Sequence, residues 1–120
     1  MTTNEFLKKL YKLRACKDSL DWVATQPDAQ TAWDSCTRED WLEWYFEKTA
    51  TTEMRKEYFK AWLTASEKLN KAERDAVQKY VRVQSPQQPD WGECEKAERA
   101  ARDEYNNTRV ATIRKLMPSP

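Results

Sequence analysis

The chain has 120 residues, 39% of them apolar and 34% charged, with 21 basic and 20 acidic side chains and a formal net charge of +1. That length suits one domain, and although Leu, Ile, Val and Phe number only 17, near-zero net charge and an aromatic set of six Trp, five Tyr and three Phe separate it from disordered chains. The absence of histidine excludes Ser/His and Cys/His dyads and imidazole metal ligands, and a single glycine, Gly92, excludes phosphate-cradling loops and dinucleotide fingerprints.

Thirteen alanines against five valines and one isoleucine favour helices over strands throughout. Phe6, Leu7, Leu10, Tyr11 and Leu13 recur at helical spacing and predict a first helix from Asn4 to Leu13, with a basic mitochondrial presequence as the alternative. A short second helix carries Cys16, Leu20, Trp22 and Val23 and ends before Pro27, because the residue preceding a proline is biased away from helical geometry. Asp28 caps a third, bearing Ala32, Trp33 and Cys36. Thr37 with Asp40 reads as a capping box that opens a fourth helix through Trp41, Trp44, Tyr45 and Glu47.

After Thr49-Ala50-Thr51-Thr52, with Thr51 or Thr52 as the cap, an apolar stripe begins. Met54, Tyr58, Ala61, Ala65, Leu69, Ala72, Ala76 and Tyr80 keep phase at steps of three or four, which predicts one helix over 52–82; a restart capped by Asn70 and Glu73 is the alternative. Residues 83–90 (VQSPQQPD) read as a proline-containing loop. Asp90 with Glu93 then caps a terminal helix over 91–117, whose face carries Cys94, Ala97, Ala101, Tyr105, Thr108, Thr112 and Leu116. The expected fold is all-α: a compact single-domain helical bundle, with Trp-rich short helices over 1–48 and two long C-terminal helices. No apolar run exceeds Trp44-Tyr45-Phe46 in length, so neither a membrane span nor a signal peptide is expected.

Trp22, Trp33, Trp41 and Trp44 crowd into one stretch, and the economical reading is that they supply a buried core, since nothing else there is large enough. The alternative is a stacking platform for bases or a partner. Cys16, Cys36 and Cys94 have neither zinc-ligand nor redox-pair spacing and are read as reduced, inward-pointing thiols of a cytoplasmic protein. Ala15-Cys16, Leu20-Asp21-Trp22, Ala32-Trp33-Asp34-Ser35-Cys36 and Asp40-Trp41-Leu42-Glu43-Trp44 together resemble the pattern of the immunity-protein family of bacteria and phages. The likeness lies over residues 13–45, with Arg14 in place of a turn glycine and Glu43 in place of an aliphatic. It implies a small helical protein that neutralises or modulates a protein partner inside a bacterial or phage-infected cell, without catalysis.

Glu39, Glu43 and Glu47 share a helical face and could hold a divalent metal or a basic partner, but all-carboxylate sites normally draw on loops or several helices, so a solvated face is the reading preferred. No catalytic residue, cofactor or metal is assigned. Lys56, Lys60, Glu67, Lys71, Arg74, Gln78 and Arg82 run opposite the stripe of the long helix, flanked by Phe59, Trp62 and Leu63. Lys56, Lys60, Lys71, Arg74, Arg82 and Trp62 are therefore the expected partner-binding residues, for a protein or, alternatively, for nucleic acid. The other reading is an ordinary solvated face, since a chain with 34% charged residues makes such rows by chance.

Overall fold

A computed structural model describes residues 1–82 and 89–120. Among these residues every element is helical: α1 (Thr3–Lys12), α2 (Lys17–Ala24), α3 (Ala29–Ser35), α4 (Glu39–Thr49), α5 (Thr52–Val77) and α6 (Trp91–Leu116), with one π-helical turn, Gln78–Arg82, directly after α5. No helix among them is long and apolar enough to cross a membrane. The expected loop lies mostly outside the described residues, at 83–88; Pro89 and Asp90 adopt no regular structure.

The helix boundaries follow from side chains that satisfy backbone groups left over at helix ends. Carboxylate Oδ1 of Asp28 accepts from the Thr31 N–H at 2.7 Å, Thr51 Oγ1 from the Met54 N–H at 3.2 Å, and Asp90 Oδ1 from the Glu93 N–H at 3.0 Å. α5 passes Asn70 without a break. The expected Thr37–Asp40 capping box does not form. Asp40 instead takes a two-pronged pair from Arg38, Nε to Oδ1 at 2.9 Å and Nη2 to Oδ2 at 2.7 Å, and α4 starts at Glu39 with no side-chain cap. A fork-on-carboxylate pair is stronger than a single hydroxyl–amide bond, so Arg38 outcompetes Thr37 for the register.

α1 ends on a Schellman turn. The Arg14 N–H donates to the Tyr11 carbonyl and the Ala15 N–H to the Leu10 carbonyl, both at 3.0 Å, which places Arg14 at φ 65°, in the left-handed region that normally selects glycine.

The chain divides into two compact units, one of Met1–Arg55 with Ile113–Pro120 and the other of Lys56–Thr112. In the first, Tyr45 is the aromatic hub: the Phe6 ring meets it edge-on at 5.6 Å and the Trp33 ring tilts against it at 5.4 Å. Leu10, Val23, Leu42, Phe46, Ile113 and Met117 are buried with them, as are the smaller Ala29, Ala32, Cys36 and Ala50. Of the four clustered tryptophans only Trp33 is fully buried; Trp22, Trp41 and Trp44 are half-buried. Short helices leave gaps between their ends, and three indoles wall such a gap while the smaller aromatics fill the centre.

The second unit is an antiparallel pair, with Tyr80 bonded to Asp90 through the backbone at 2.7 Å, Glu73 paired with Arg102 at 3.3 Å, Lys68 with Glu104, and Tyr58 Oη accepting from Arg109 Nε at 3.3 Å. Among the described residues its buried side chains are the small ones of Ala65, Ala76 and Cys94.

Candidate functional site

The stripe on α5 is buried or half-buried at every expected position from Met54 to Ala76, which turns the opposite face to solvent. Lys56, Lys60, Glu67, Lys71 and Arg74 are all exposed there, as are Gln78 and Arg82 in the π-helical turn. Charge on this face is balanced only in part. Lys60 Nζ lies 3.2 Å from Glu57 Oε1, Lys71 Nζ lies 2.8 Å from Asp75 Oδ2, and Lys56 is partnered too. Arg74 and Arg82 have no ion-pair partner among the described residues.

Beside these cations the Phe59 and Trp62 rings stack at 5.8 Å and 18°, with Phe59 56% exposed and Leu63 42% exposed. Residues spaced three and four apart are neighbours on a helix surface, so the three side chains form one apolar patch next to the positive row. Trp62 itself is half-buried, which fixes the platform on which Phe59 stands out.

The acidic row is split, with Glu39 and Glu47 exposed and Glu43 half-buried. Among the described residues no three Cys, Asp or Glu side chains converge as metal ligands. The thiols divide as well. Cys36 and Cys94 are buried, and burial pushes both thiols above their ordinary range. Cys16, expected to point inward, is exposed. It occupies the N-cap position of α2, outside the helical register from which its direction was inferred, and the Ser19 hydroxyl 3.4 Å from its sulfur holds the thiol below its ordinary value.

Two positions with notable geometry were not among the expected site residues. One is Arg14, whose left-handed backbone is set by the Schellman turn; the other is the Arg38–Asp40 pair, whose guanidinium also lies 4.4 Å above the Trp41 ring. No protein-family model, curated protein or solved structure matches this chain.

Proposed function

We propose that the protein is a non-enzymatic cytoplasmic interaction protein that binds a protein partner and neutralises or modulates it, with the exposed face of α5 as its recognition surface. The observation that carries this reading is the exposed Phe59 and Leu63 with half-buried Trp62, set beside Lys56 and Lys60 on a face that continues through Lys71, Arg74 and Arg82. Aromatic and arginine side chains are enriched in binding hot spots. Nucleic acid is the second reading, favoured by the exposed Arg74 and Arg82; against it, Lys60 and Lys71 each share their charge with a carboxylate of the same helix. The immunity-like assignment is supported by the residue pattern over 13–45 and by Arg14, which adopts the geometry of the glycine that the pattern has there. Three free thiols fit a reducing cytoplasm.

The test is capture from a lysate of the native host by tagged wild-type protein and by Phe59→Asp/Leu63→Asp, with and without nuclease. A partner retained through nuclease treatment and lost by the folded double variant supports the reading. Capture that depends on nucleic acid, or that the folded variant retains, overturns it.

A further inference from the structure

The gap left by the short helices of the first unit is a cleft of about 510 Å³, within the range of small-molecule sites. Trp22, Trp41, Trp44 and Tyr45 are among the residues that line it, and the Trp22 and Trp41 rings lie 6.0 Å apart at 50°. The Arg38 guanidinium covers one face of Trp41 at 4.4 Å, and a third flat ring would meet the tilted pair by the offset and edge-on contacts that aromatic rings favour.

The rim carries four charged groups, Arg14, Asp18, Arg38 and Asp40. Asp40 is locked to Arg38 by both carboxylate oxygens. Asp18 lies in the first turn of α2, where the helix amides offset a negative charge. That leaves Arg14 as the rim cation without a partner among the described residues, and it is held there by a backbone conformation that disfavours every residue but glycine. The Tyr45 hydroxyl is buried with no hydrogen-bond partner in the same wall, although a buried polar group is normally paired.

We infer that this cleft is a binding site for a small flat aromatic molecule carrying one anionic group, with the ring between Trp22, Trp41 and Trp44 and the anion on Arg14. The unit's fold needs no charge at position 14, since glycine would make the same turn without strain. A guanidinium at the mouth of an aromatic cleft therefore matches an aromatic acid better than a neutral or cationic ligand.

The test uses anilinonaphthalene sulfonate as the aromatic anion and phenylnaphthylamine as its neutral counterpart, titrated by calorimetry into full-length protein whose near-ultraviolet circular dichroism stays native. Both should bind saturably at one site per chain. Arg14→Gly, which relaxes the turn, should weaken the sulfonate by about tenfold, the loss of one charge-assisted contact, while leaving the amine within about twofold. Bound sulfonate should also slow alkylation of Cys16, on the same rim, without any substitution. The proposal is overturned if the sulfonate does not saturate, if Arg14→Gly weakens both probes alike or neither, or if Cys16 reacts at the same rate with the site filled.

Discussion

The indole N–H of Trp33 donates at 2.9 Å to the backbone carbonyl of Met117, 84 residues further along the chain. Arg114 reinforces this closure: Nη1 donates to the Trp33 carbonyl at 2.6 Å and Nη2 to the Cys36 carbonyl at 2.7 Å. α3 has only seven residues, too short to stand alone, and its last carbonyls have no partner within the helix. A cation at that end satisfies them and opposes the helix dipole. Arg114→Ala should therefore cost about 2–3 kcal/mol, and Arg114→Lys should recover only part of it, because a point charge cannot span two carbonyls. Trp33→Ala should cost about 3–5 kcal/mol, comparable with the whole stability of a small domain. Urea unfolding followed by circular dichroism reads all three. An Arg114→Ala variant as stable as wild type would show that the C-terminal segment merely rests on α3.

Arg14 makes the opposite prediction. A non-glycine residue at φ 65° carries about 1 kcal/mol of backbone strain, and glycine removes it at a smaller entropic cost. Arg14→Gly should raise the melting temperature by a few degrees, since about 1 kcal/mol corresponds to roughly 4 °C in a domain of this size. Arg14→Ala, with the same loss of charge but the strain retained, should leave it nearly unchanged. If alanine stabilises as much as glycine, the gain comes from charge and not from backbone geometry.

These two residues also mark what could be read from sequence. The phase of α5 was legible because a stripe from Met54 to Ala76 samples many turns, so local errors average out. The caps at Asp28, Thr51 and Asp90 were legible because a cap acts within three residues of itself. The Trp33–Met117 bond was not, as no periodicity links positions so far apart. The Arg38–Asp40 pair hid behind a local rule that it defeats, and Cys16 was misplaced because helical phase says nothing about a residue one step outside the helix. On the candidate site, the exposed face was visible in the α5 pattern, whereas its partial neutralisation by Glu57 and Asp75 depends on rotamers that the pattern leaves open.

Acid should weaken the first unit in a defined way. The Thr31 N–H on Asp28 and the Arg38 guanidinium on Asp40 hold both carboxyls below their ordinary values. With the folded pKa below the unfolded one, which is about 3.9 for Asp, the native state binds fewer protons. The stabilisation is therefore present above about pH 4 and is lost as pH falls through the lowered folded values. Both groups are exposed, so the effect is modest. Asparagine caps a helix about as well as aspartate, and the Arg38–Asp40 pair is exposed, so Asp28→Asn/Asp40→Asn should cost little near neutrality and flatten the decline on acidification. Urea midpoints across the acid range check this, and a double variant with the wild-type slope would place the acid sensitivity elsewhere.

The thiols give the sharpest contrast. A thiolate is the reactive form, so rate depends on both exposure and pKa. Cys16 is exposed and lowered by Ser19, whereas Cys36 and Cys94 are buried and raised by that burial. One equivalent of thiol per native chain should react quickly with a disulfide reagent, and Cys16→Ser should remove it. The other two should react only as the protein unfolds, at a rate that rises with denaturant. Because the folded pKa of Cys16 is depressed, its alkylation should set in at lower pH than that of free cysteine. Ser19→Ala, which deletes the hydroxyl that stabilises the thiolate, should shift the profile back upward without altering the other two thiols. Peptide mapping after brief alkylation at several pH values measures each site separately. Equal labelling of all three cysteines in the native protein, or a Cys16 profile at or above that of free cysteine, would contradict the N-cap geometry that exposes this thiol and leaves it beside Ser19.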